Sequence, residues 1–144
     1  MARDILLGVE IGAEAATVHD AITSKEGLSS FWTSDTVAEP SVGSEARFGF
    51  PKAPVPLRMR VDRLDANEVA WTCLGDFPHW EGTTVAWSLS QGAEPSSTRL
   101  FFRHAGFPDE QSEWEFASVS YTWAIILERL KQLTETGEAQ PALG

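Results

Sequence analysis

The chain has 144 residues, the size of one ordinary domain, and 42% of them are hydrophobic, enough for a core. A net charge of -10 argues against nucleic acid as a partner, because phosphates need a basic surface. No apolar run approaches the roughly 20 residues of a membrane span, and the run behind the starting methionine is too short for a signal peptide. One cysteine, Cys73, excludes an internal disulfide and fits a reducing cytoplasm.

Ile5, Leu7, Val9 and Ile11 alternate with Asp4, Leu6, Gly8 and Glu10, which predicts an opening strand. From Ala13 to Thr23 the period changes, and Ala15, Val18, Ala21 and Ile22 share one helical face. Ser24 can cap a second short helix carrying Leu28, Phe31 and Trp32. The pattern then becomes all-β. Ser34–Glu39 is a short second strand, and Ala46, Phe48 and Phe50 mark a third. Pro51, Pro54 and Pro56 stiffen the next loop, since proline cannot donate to a ladder. Leu57, Met59 and Val61 mark a fourth strand, and Val69, Trp71 and Cys73 a fifth. The loop Gly75–Gly82 carries Phe77 and Trp80. Val85, Trp87 and Leu89 mark a sixth strand, and Leu100, Phe102 and His104 a seventh.

After Pro108 the period returns to 3.6. Phe116, Val119, Trp123, Ile126, Leu127, Leu130 and Leu133 form one stripe from Ser112 to Thr134. Ser112 and Glu115 read as a capping box, and Gly137 closes the helix. Strands joined by short turns are antiparallel. The expected fold is therefore α+β, a curved antiparallel sheet of six to seven strands wrapped on a long C-terminal helix, with two short helices after strand one. Residues 1–137 form the single domain, and 138–144 are expected to fray.

There is no HxxxH or CxxC motif, no phosphate loop and no nucleophile elbow, so no metal or cofactor is expected. His104 is the one histidine on an inward strand face. It reads either as a ligand anchor or acid–base group, or as a core-edge histidine bonded to a neighbour. Arg47, Arg58, Arg60, Arg99 and Arg103 fall on the opposite sheet face, as a solvated layer paired with acids or as a protein-docking surface. The inward aromatics either line a cavity or fill it. A cavity would lie between the first half of the long helix and the sheet. Its border would be Phe48, Phe50, Met59, Trp71, Trp87, Phe102, His104, Trp114, Ser118 and Tyr121, with Phe77 and Trp80 at the mouth.

Several short pieces also carry a family resemblance. They are Phe31-Trp32-Thr33, Gly43 followed by Phe48-Gly49-Phe50, Val69-Ala70-Trp71, the run Thr98 to His104 with Gly106-Phe107, and Trp123 with Leu127 and Leu130. In their order and spacing over residues 4 to 135, the chain resembles the START-like or SRPBCC superfamily with the birch-pollen-allergen fold. It is most similar to the branch of activators of the heat-shock-protein-90 ATPase. Thr122 stands where that branch often has glycine, and Phe31-Trp32 replaces its usual tryptophan pair. The resemblance implies a helix-grip fold. It implies a function among small-molecule carriers, protein-binding modules, cyclases and hydrolases. The expectation drawn is a binding protein for a small apolar or aromatic molecule held between helix and sheet. The alternatives are an interaction module with a protein partner or a second copy, and a cyclase- or hydrolase-like enzyme, for which no catalytic motif is seen.

Overall fold

The computed structural model describes residues 3–144; Met1 and Ala2, at the start of the expected domain, lie outside the described residues. The elements follow the order β1 (Arg3–Ile11), α1 (Ala15–Thr23), α2 (Lys25–Phe31), β2 (Asp35–Val37), β3 (Glu45–Gly49), β4 (Leu57–Leu64), β5 (Glu68–Cys73), β6 (Thr84–Gln91), β7 (Thr98–Phe107) and α3 (Glu113–Thr136). The seven strands form one sheet in the order β1-β7-β6-β5-β4-β3-β2, with every neighbouring pair antiparallel. The α+β, helix-grip architecture read from the sequence is the observed one.

Local chemistry sets the helix ends. The Ser24 hydroxyl accepts from the Gly27 N–H at 3.0 Å and starts α2 directly after α1. The two helices meet so closely that a Cβ on Gly27 would lie 2.2 Å from the Ala21 carbonyl oxygen, so only glycine fits there. The Ser112 hydroxyl accepts from the Glu115 N–H at 3.1 Å and starts α3. Gly137, at φ 79°, ends it in the left-handed conformation. The glutamate half of the expected capping box serves another contact, because the Glu115 carboxylate lies 3.3 Å from His79 Nδ1.

Period-2 alternation decides which side chains face α3. Phe48, Leu57, Met59, Trp71, Trp87, Leu100 and Phe102 are all buried, as are Trp123, Ile126, Leu127 and Leu130 of the helix. Trp123 stands at the centre, 4.5 Å from the Phe102 ring, 5.1 Å from Trp32 and 6.1 Å from Trp87. Trp32 in turn stacks on Phe48 at 4.2 Å. Such aromatic pairs each add about 0.5–1.5 kcal/mol beyond the area they bury.

The tail departs from expectation. Residues 138–144 do not fray but run back along α2. The backbone N–H groups of Gln140, Ala142 and Leu143 donate to the carbonyls of Ser30, Phe31 and Trp32. Those carbonyls at the end of a short helix lack partners of their own, and the returning chain supplies them. Among the described residues no helix is long and apolar enough to cross a membrane.

Candidate functional site

A cavity of about 160 Å³ lies where the middle of α3 passes the loop between β5 and β6. Val119, Trp123 and Ile126 form its helix wall, and Phe50, Leu57 and Trp32 its sheet and α2 wall. Phe77 and Trp80 close one side and Leu143 of the returning tail closes another. Ser118 and Thr122 bring the hydroxyls to this otherwise apolar lining. A dry cavity of about 150 Å³ with aliphatic and aromatic walls is known to take up benzene. One aromatic ring, or a small fused pair, is therefore the scale of molecule this space fits.

The loop wall is held in an unusual backbone conformation. Asp76 and His79 have φ of 76° and 70°, and Gly75 and Gly82 are also positive. Left-handed backbone at a residue with a side chain costs free energy and persists only where surroundings hold it. Here the Asp76 carboxylate accepts from the Arg58 N–H at 3.0 Å and from its guanidinium at 3.1 Å. His79 reaches across to Glu115 on α3. These ties hold Phe77 and Trp80 over the cavity.

His104 stands beside this space, within a polar chain fully satisfied inside the protein. The Trp123 indole N–H donates to His104 Nδ1 at 3.0 Å. Nε2 therefore carries the proton and donates to the Thr83 hydroxyl at 2.8 Å, which donates to the Trp80 carbonyl at 2.7 Å. Burial holds the imidazole neutral, with its pKa lowered to about 3. The chain ties β7, α3 and the cavity loop together, which is the core-edge reading of this histidine. Cys73 Sγ lies 3.9 Å from Nε2, and burial pushes its thiol up to about 11, so a thiolate is disfavoured there. Among the described residues no group of three or more His, Cys, Asp or Glu could hold a metal ion.

The structure brings Phe50, Phe77, Trp80 and Ser118 of the expected border to the cavity. Phe48, Met59, Trp71, Trp87, Phe102 and His104 are instead packed in the core around it. The inward placement expected for Trp114 and Tyr121 is corrected: they are 81% and 70% exposed. The helical stripe that buries Trp123 turns positions 114 and 121 to the far side. Trp32, Leu57, Val119, Thr122, Trp123, Ile126 and Leu143 line the space without having been read as lining residues. Periodicity gives Val119, Trp123 and Ile126 an inward face, but it does not distinguish packing from bordering a void. Leu143 had no sequence signal. The arginines of the outer sheet face are each paired: Arg47 and Arg58 with Glu45, Arg58 also with Asp76, Arg60 with Asp62, Arg99 with Glu10 and Arg103 with Asp4.

Comparison with known proteins places this geometry. The family model described as "Activator of Hsp90 ATPase homolog 1-like protein" matches residues 12–135. No curated protein matches the chain significantly. The solution structure of the Aha1 dimer from Colwellia psychrerythraea is 26% identical over 95% of this chain and 99% of that one, with a TM-score of 0.82. Protein MLL2253 from Mesorhizobium loti is 18% identical over 91% of this chain and 96% of its own, with a TM-score of 0.79. CalU16 from Micromonospora echinospora is 19% identical over 97% and 78%, with a TM-score of 0.70. The last two likenesses concern the fold alone.

Proposed function

From its place in the family of activator of Hsp90 ATPase homologue 1-like proteins, to which the chain belongs, we propose that it binds a small planar apolar molecule between α3 and the sheet. The observation that carries this reading is the cavity itself. A core this rich in aromatic rings could close on itself, yet it leaves about 160 Å³ open beside Trp123. Small-molecule sites are mostly apolar with a few placed polar groups, and Ser118 and Thr122 are those groups here. The ligand would be of one or two fused rings, with any polar substituent directed to these hydroxyls. A larger ligand would have to displace Leu143 or the Phe77–Trp80 wall.

Titration with indole or naphthalene, read by tryptophan fluorescence and calorimetry, tests the reading. Saturable binding is expected in the wild type. Val119→Phe places a ring in the same space and is expected to weaken binding at least tenfold while leaving the fold intact. Absence of saturable binding, or equal binding by Val119→Phe, would overturn it.

A second reading is a protein-interaction module working as a homodimer. It is favoured by the similar Aha1 domain, which is a dimer, and by the exposure of Trp114 and Tyr121. Sedimentation of the purified chain over a concentration series tests this reading. A monomer at all concentrations would remove it.

A further inference from the structure

From residue 116 to residue 127, α3 carries no charged side chain. Half of that run faces the core, where charge is not expected. Four of its twelve positions, Ala117, Ser118, Tyr121 and Ala124, are exposed, and Trp114 one turn earlier is exposed as well. These positions fall at three- and four-residue steps, so they form one continuous face. The solvent face of a surface helix ordinarily carries charges. The same helix follows that rule beyond Leu127, where Glu128, Arg129, Lys131 and Glu135 appear.

We infer that this face of α3, running from Trp114 through Tyr121 to Ala124, is where a second copy of the chain docks, antiparallel and centred at the level of residue 119, so that Tyr121 meets the partner's Ala117 and Trp114 the partner's Ala124. The inference rests on the homodimer reading above and names its surface. Net charge favours this face over others. Two copies at -10 repel one another, and they approach at least cost where neither presents charge. The outer sheet face, by contrast, would have to desolvate its ion pairs. Shape is self-complementary as well. Trp114 and Tyr121 stand as ridges, with Ala117 and Ala124 as the low ground beside them, so two such helices can interlock. A hollow of about 410 Å³ beside Trp114, walled by Phe77, Pro78, Trp80, Gln111 and Glu115, lies at the edge of this face.

Sedimentation velocity over a concentration series, with circular dichroism as the fold control, decides the matter. The wild type is expected to dimerise. Tyr121→Glu buries a charge within the contact and is expected to weaken the dimer at least about 30-fold. Trp114→Ser is expected to act in the same direction. Phe101→Glu, an exposed aromatic on the outer sheet face, is expected to leave dimerisation unchanged. A wild type that stays monomeric ends the homodimer reading and this inference together. A wild-type dimer that persists in Tyr121→Glu and Trp114→Ser, or that dissociates in Phe101→Glu, overturns this surface and leaves the homodimer reading standing.

Discussion

The two halves of α3 are built from similar residues and do opposite things. The second half, from Trp123 onward, buries Trp123, Ile126, Leu127 and Leu130 and gives water its charges. The first half reaches the cavity through Ser118, Val119 and Thr122, shares it with Trp123 and Ile126, and turns large aromatics outward on its other side. One helix is thus both a structural rod and a working surface. The difference lies in what faces each half across the gap. Trp123 meets the packed rings of β6, β7 and α2. The residues near Ser118 and Val119 meet a loop, which cannot fill space as a strand does.

Trp123→Ala is the strongest way to break this contrast. Emptying the site costs about 3–5 kcal/mol, and leaving His104 Nδ1 without its donor adds about 1–3 kcal/mol. Tyr121→Ala, two residues away and exposed, should stay within about 0.5 kcal/mol at concentrations where the chain is monomeric. Urea unfolding of both variants checks the pair, and similar costs would mean that the two faces are misassigned.

Acid sharpens the same contrast through His104. The unfolded imidazole takes up a proton near pH 6.5 and the folded one near pH 3. Between those values the unfolded state binds more protons, so stability is full above about pH 6.5 and is lost as pH falls towards 3. The loss from this group is at most about 5 kcal/mol, at about 1.4 kcal/mol per pH unit. Asp4, held low by Arg103, and Glu135, held low by Lys131, also lose their stabilising contributions as pH falls, but at lower pH. His104→Gln should therefore flatten the upper part of the curve and keep the lower part. An unchanged slope between pH 6.5 and 4 would mean that the imidazole is not held neutral.

Smaller effects test the cavity edge. Removing Pro141–Gly144 takes away the Ala142 and Leu143 backbone bonds and one cavity wall. A loss of about 1–2 kcal/mol is expected, at roughly 1 kcal/mol per lost bond, together with tighter binding of ligands larger than indole. Thermal unfolding and calorimetry measure the two. Arg99→Ala, which breaks the exposed pair with Glu10, should leave the urea midpoint nearly unchanged, because solvent screens such a pair.

Much of the fold was legible because its signals are local. Alternation marked β3 to β7, and the 3.6-residue stripe with Ser112 and Gly137 bounded α3. The candidate site was legible only in part. Phe77, Trp80, Phe50 and Ser118 were found because they lie on a loop or an inward face near the helix. Trp114 and Tyr121 were misplaced because an aromatic side chain looks buried to composition, while helical phase turns it outward. The tail was misread because its partners, the carbonyls of Ser30, Phe31 and Trp32, lie more than a hundred residues away in sequence.

By itself the sequence determined the α+β class, the antiparallel sheet and the long closing helix. Those follow from periodicity, caps and turn residues, each of which acts over a few neighbours. Tertiary structure alone decided where the space remains. A void is set by how rings from α2, β3, β4, the Gly75–Gly82 loop, α3 and the tail meet. It also decided that His104 is spent on Trp123 and Thr83. Those contacts join positions 19 and 21 residues apart, and no local period encodes them.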